Sequence, residues 1–176
     1  IANNNCGSMG YDLPAAIGSA VASKKEVICV TGDGSIMMNL QELQTIKHYN
    51  LPVKVVIFSN DGYNAFRQTC KNFFNGFNVG CDAESGVSFP SFEKVADTFG
   101  YGYKCCHSNG ELDECLDWLF SQEGQVILEV EQRLDDPITP KVMSRINDKG
   151  EFVTPSIEDM YPFIDEEEYK SLMIGK

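Results

Sequence analysis

The chain has 176 residues, of which 43% are apolar, 23% charged and 11% aromatic, a composition that fits one globular domain with a sizeable core. Its formal net charge of −12 excludes an extended nucleic-acid surface, because phosphate backbones select for Lys and Arg. No apolar run approaches the ~20 residues of a membrane span, so an acidic cytoplasmic enzyme is the expected class.

Part of the acid excess is local, with Glu158, Asp159, Asp165, Glu166, Glu167 and Glu168 close to the C-terminus. The seven cysteines show no paired CxxC of a zinc site: Cys29 lies inside an apolar run, and Cys105 and Cys106 are adjacent. They are expected to be buried free thiols of a reducing compartment. No stretch reads as a signal peptide. The chain opens with Ile1 in the middle of a glycine-rich loop, which predicts a piece of a longer chain or a subunit trimmed at its front.

In chain order, residues 11–23 place Ala and Ile at helical spacing, with Pro14 near the front where a helix tolerates it. Residues 26–32 read as a buried strand. Residues 39–49 form an amphipathic helix with Leu40, Leu43 and Ile46 on one face. Residues 53–60 are a β-branched run and a second buried strand. A helix over 91–100 opens at Ser91 and closes at Gly100. A short strand over 101–107, a helix over 111–120 and a last strand over 125–131 follow. The alternation predicts an α/β fold of three layers, a mostly parallel sheet with helices on both faces. Residues 1–131 are taken as this domain. Residues 132–176, with acidic clusters and no clear periodicity, are expected to be an extension that packs on the domain or on a neighbouring subunit.

In parallel sheets ligands bind in the loops after the strand ends, here Gly32-Asp33-Gly34-Ser35 and Asn60-Asp61-Gly62-Tyr63. A glycine-rich turn between strand and helix can aim N–H groups at an anion. An Asp in that turn repels the anion unless a cation sits between them. Asp33 and Asn60, 27 residues apart, could therefore face one oxygen-ligated ion such as Mg²⁺, with Gly34 and Ser35 on phosphate oxygens. The plainer alternative is that GDG is a common turn and Asn60 a cap.

The stretch GDGSIMMNLQELQTIKHYNLPVKVVIFSNDGYN resembles the signature of thiamine-diphosphate enzymes, GDG followed by about two dozen residues and an Asn. CGSMGYDLPAAIGSA is similar to the GxGxMGxGLPAAIGA segment that precedes it in the acetolactate synthase branch. The likeness is close over residues 4–68 and looser beyond. It implies the thiamine diphosphate-binding fold, with thiamine diphosphate and Mg²⁺ as cofactors. Asp33, Asn60 and the Gly62 carbonyl would be metal ligands. Gly34 and Ser35 would bind the diphosphate, Gly7, Ser8, Gly62 and Tyr63 would also contact the cofactor, and Met9 would be an apolar wedge under its bend. Plain core filling is the alternative for Met9.

The implied activity is decarboxylation and carboligation of small 2-oxo acids in a homodimer or homotetramer. The activating Glu belongs to a pyrimidine-binding domain of the same or a neighbouring chain, so no catalytic residue is expected here. The first strand of the domain is also expected to be missing. FAD in the full-length protein is not legible. Two other readings stand beside this one, a separate non-oxidative 2-oxo acid decarboxylase subunit and a non-catalytic cofactor-binding or assembly module. Where acetolactate synthases tend to carry a Trp, this chain has Thr69, and its only Trp is Trp118. His48 and His107 are expected to be structural. Lys47 and Arg67 are expected to be solvated, Arg67 close enough to the cofactor loop to touch a substrate carboxylate.

Overall fold

The computed structural model describes residues 1–2, 6–134, 139–147 and 149–173. These fall into two compact units, Ile1–Asp136 and Pro137–Lys176.

In the first unit, helix α1 (Asp12–Ser23) leads into strand β1 (Val27–Gly32). A short helix α2 (Asp33–Ile36) begins at once and passes through a 3₁₀ turn at Met37–Asn39 into α3 (Glu42–His48). The helical path thus starts six residues before the predicted one, because the Asp33 side chain takes the Gly34 amide and turns the chain directly. Then come β2 (Val53–Ser59), α4 (Asn64–Phe73), α5 (Phe92–Phe99), β3 (Gly102–Cys106), α6 (Leu112–Ser121) and β4 (Val126–Glu131).

The four strands make one parallel sheet in the order β1-β2-β4-β3. Among the described residues no strand precedes β1, which forms one edge. α1, α3 and α5 cover one face: Leu13, Ala16, Leu43, Ile46, Phe92 and Val95 close on Cys29, Val55, Ile57 and Ile127. α6 covers part of the other, where Cys115 and Leu119 meet Val56, Cys106, Val126 and Leu128. The three-layer α/β/α arrangement expected from the alternation is present. Burial on both faces is why β2 reads as an unbroken apolar run. Its one cation, Lys54, is buried and pairs with Glu26 at 2.9 Å.

Sequence reading assigned no element to residues 61–90, yet α4 lies there. Its apolar residues Ala65, Phe66, Cys70 and Phe73 recur at helical spacing, but only Cys70 is buried and no side chain caps the helix, so no start signal marks it.

In the second unit, β5 (Arg145–Ile146) and β6 (Phe152–Val153) form an antiparallel hairpin, and α7 (Glu166–Leu172) follows. Asp165 caps α7 by accepting from the Glu167 and Glu168 amides at 2.8 and 3.4 Å. Arg145 pairs with Asp159 and lies over the Phe163 ring.

Candidate cofactor site

The register of β1 against β2 pairs Gly32 with Phe58, so the two strands end side by side and their following loops meet. Asp33 is only 2% exposed. One of its oxygens, Oδ2, accepts from the backbone N–H groups of Asn60 (2.8 Å), Asp61 (2.7 Å) and Gly62 (3.4 Å). The other, Oδ1, accepts from the Gly34 amide at 2.7 Å. A buried carboxylate that accepts four amides ties the two loops to one point. The second loop curls around it with Asp61 at φ +58° and Gly62 at φ +157°. A Cβ on Gly62 would lie 2.2 Å from the Cys81 carbonyl oxygen, so only Gly fits there.

Arg67 on α4 reaches back to the same loop. Its guanidinium donates to the Asn60 carbonyl at 2.8 Å, to Asn60 Oδ1 at 3.2 Å and to the Asp61 carbonyl at 3.3 Å. Its Nε is buried with no hydrogen-bond partner. The expectation that Arg67 is solvated is therefore corrected: the curled loop turns two carbonyls and an amide oxygen toward it, and these replace water. Lys47 stays exposed, donating to the Gly100 carbonyl and lying 5.7 Å from the Tyr101 ring centroid.

The glycine-rich opening loop packs against α2. Gly10 donates to Ser35 Oγ at 3.0 Å, and Asn39 donates to the Gly10 carbonyl at 2.7 Å. A Cβ on Gly34 would lie 2.4 Å from the Tyr63 ring and 3.3 Å from the Met9 methyl, so these three residues close on one point. Met9 remains 44% exposed, which sets it at a surface rather than in the core. Gly7, Ser8, Asp12 and Ser35 line a cleft of about 650 Å³ beside β1.

The sequence-predicted residues thus form two clusters joined by Ser35. Asp33, Gly34, Asn60 and Gly62 gather on the buried carboxylate, with Tyr63 and Met9 against Gly34. Gly7 and Ser8 stand along the cleft. Thr69 lies on α4 with its hydroxyl donated to the Ala65 carbonyl at 3.0 Å.

Asp12, Thr31 and Asn39 escaped sequence reading. Ser35 donates to Asp12 Oδ2 at 2.5 Å, and the Thr31 hydroxyl donates to the same oxygen. The Asp12 charge also adds to burial in pushing the neighbouring Cys29 thiol up to about 12. Asp12 was legible as a departure, since it stands where the GxGxMGxGLPAAIGA pattern has Gly. For Asn39, which looks like an ordinary helix residue, nothing in the sequence marks the role.

Residues 1–130 match the family described as thiamine pyrophosphate enzyme, C-terminal TPP binding domain. The chain belongs to this family. Among relatives of this TPP-binding domain, the acetolactate synthase large subunit of Porphyra purpurea is 36% identical over 81% of this chain and 24% of its own length. The acetolactate synthase isozyme 2 large subunit of Escherichia coli (strain K12) is 34% identical over 74% of this chain and 23% of its own. Among solved structures, the Rhodococcus jostii RHA1 thiamine diphosphate-dependent 4-hydroxybenzoylformate decarboxylase superposes with a TM-score of 0.64. It is 26% identical and covers 74% of this chain and 24% of that one. The TPP-binding domain therefore spans about a quarter of the length of the relatives it matches.

The residues present fit the cofactor. Asp33 and Asn60, the latter donating its backbone amide to the Asp33 carboxylate, carry hard oxygen donors of the kind Mg²⁺ prefers. The Tyr63 ring and Met9 methyl fill the space that a Cβ on Gly34 would take, so Gly34 presents only backbone there.

Proposed function

We propose that this chain holds the diphosphate and Mg²⁺ for an acetolactate-synthase-like, thiamine-diphosphate-dependent enzyme that decarboxylates and carboligates 2-oxo acids. The observation that carries this reading is the convergence of Asp33 and Asn60 at the ends of adjacent parallel strands, around one buried carboxylate. When bound, thiamine diphosphate supplies a nucleophilic carbon and the electron sink on which a 2-oxo acid loses CO₂.

The chain's own contribution is binding and orientation. Asp33, Asn60 and the Gly62 carbonyl hold the metal. Gly34, Ser35 and Tyr63 hold the diphosphate, and Gly7, Ser8 and Met9 seat the rings. Two of these groups must exchange partners on loading. The Gly34 amide is held by Asp33 and the Ser35 hydroxyl by Asp12. Arg67 donates to Asn60 Oδ1, so a metal held by Asn60 would have to share that oxygen with the guanidinium. The activating Glu comes from a pyrimidine-binding domain of the same or a neighbouring chain in a homodimer or homotetramer.

Calorimetric titration of the full-length protein tests the assignment. Thiamine diphosphate binds the wild type only with Mg²⁺, and Asp33→Asn removes that dependence together with the binding. Equal affinity with and without Mg²⁺ overturns the metal role of Asp33 and Asn60.

A 2-oxo acid decarboxylase is a second reading, favoured by the decarboxylase among the similar structures and by Thr69, a short side chain that builds no flat wall for an acceptor. The product from pyruvate separates the two: acetolactate supports the synthase, and acetaldehyde alone the decarboxylase.

A further inference from the structure

The carboxyl edge of the sheet carries a second group of ligating side chains, at β3 and β4 rather than at β1 and β2. β3 pairs with β4 so that Cys105 stands opposite Glu129. Side chains two residues apart share a face. His107 and Glu131, each two positions further on, therefore come to the face that Cys105 occupies.

There the His107 Nδ1 lies 2.9 Å from Glu131 Oε2 and 3.7 Å from Cys105 Sγ. The three ligand atoms are all within 4.8 Å of one another. A tetrahedral zinc ion with Zn–S of about 2.3 Å and Zn–N of about 2.0 Å sets a sulfur–nitrogen edge of about 3.5 Å, close to the spacing found. Thiolate, imidazole and carboxylate together suit a borderline ion better than Mg²⁺ or Ca²⁺.

The surroundings agree. Burial, then the charges of Glu129 and Glu131, push the Cys105 thiol up to about 11. Of these causes, the two carboxylates are the ones that also attract a cation. The His107 and Glu131 side chains are 60% and 52% exposed, which leaves an entry path. The Glu111 carboxylate accepts from the His107 backbone N–H at 3.0 Å and fixes the strand end that carries the imidazole.

We propose that Cys105, His107 and Glu131 form a site for one zinc-class divalent ion, with its fourth position open to water or a small ligand. Binding releases the Cys105 thiol proton and the proton shared by His107 Nδ1 and Glu131. A neighbouring group, Cys106 with Glu111 and Cys115, is the rival. Its thiols are sealed among Leu119, Val126 and Leu128 on the opposite face, away from solvent.

The test uses the full chain stripped with chelator and titrated with Co²⁺, followed by displacement with Zn²⁺. The Asp33 and Asn60 loops offer oxygen donors and give no thiolate-to-cobalt absorption, and the titration is run in a Cys6→Ser background because the opening loop carries that exposed thiol. We expect a single equivalent of Co²⁺ to produce that absorption and Zn²⁺ to abolish it. Cys105→Ser should remove it. His107→Gln and Glu131→Gln, both at exposed side chains, should weaken binding by more than about tenfold, since losing even an outer-shell partner costs about 10–100-fold. Absence of the band in the Cys6→Ser chain overturns the proposal. So does a band that survives Cys105→Ser, or one that vanishes only in Cys115→Ser.

Discussion

Asp33 carries two duties that pull on the same carboxylate. It is a ligand candidate for a metal, and it is also the acceptor for four backbone amides that shape both loops. Removing it strands those amides, and an unsatisfied buried donor costs about 1–3 kcal/mol. Asp33→Ala is therefore expected to lower the urea midpoint of the cofactor-free protein as well as to abolish cofactor binding. A midpoint equal to the wild type would mean that water takes over the amides.

Gly62 is under a separate constraint. An added Cβ collides with the Cys81 backbone, and φ +157° is open to few L-residues. Strain of this kind costs about 1–3 kcal/mol, so Gly62→Ala should destabilise the fold measurably by chemical denaturation. An unchanged midpoint would show that the 81–82 segment yields freely.

Cys29 gives a pH-dependent expectation. Its thiol is raised from the ordinary 9.0 to about 12 by burial and then by Asp12. The neutral form is favoured in the folded protein, so this contribution is intact below pH 9 and fades as pH rises toward 12. Alkylation at about pH 9 should modify exposed Cys6 and spare Cys29 until the protein unfolds. Mass mapping that finds Cys29 modified under native conditions would remove this account.

At the scale of elements, β-branched runs and capped helices were legible and α4 was not. α5 shows why. Ser91 Oγ accepts the Lys94 amide at 3.3 Å, and Gly100 ends the helix at φ +70°. Both signals are local in sequence. Ser91→Ala should cost about 1 kcal/mol, read as a shift of the denaturation midpoint, and a shift near zero would mean that the core contacts of Phe92 and Val95 alone set the helix start. α4 has neither signal. It is held instead by what it reaches: Arg67 lies on the Asn60 loop, and Tyr63 at its start accepts the amides of Phe66 and Arg67. Its apolar residues do recur at helical spacing, but with neither a side-chain cap nor a closing glycine its ends are unmarked.

At the scale of the whole molecule, the proposed division of labour has a direct consequence. The catalytic Glu is assigned to another domain, and the chain spans about a quarter of its relatives. This chain alone, with Mg²⁺ and saturating thiamine diphosphate, should release no CO₂ from pyruvate. Sustained release by the pure chain would show that the whole catalyst lies here. On the proposed synthase reading, Thr69 would offer no wall for an acceptor's alkyl group. A methylene in an apolar pocket is worth about 1–3 kcal/mol, so 2-oxobutyrate and pyruvate should compete as acceptors within about tenfold of each other. A stronger preference would place the specificity elsewhere.

The sequence by itself determined the alternation of strands and helices, the two loops at the strand ends, and that the Asp33 and Asn60 loops lie side by side. Each depends on short-range pattern: apolar runs, caps, glycine-rich turns, and one crossover that returns the chain to the neighbouring strand. Only the tertiary structure decided that the Asp33 charge is divided among amides, that Asp12 gathers Ser35 and Thr31, and that Arg67 shares Asn60. It also decided that β4 lies between β2 and β3, which brings Glu131 to Cys105 and His107. Strand order and register set most of these meetings, and those bring together groups 19 to 29 residues apart along the chain. No local pattern encodes such a meeting, because the partner that satisfies each group is supplied by another element.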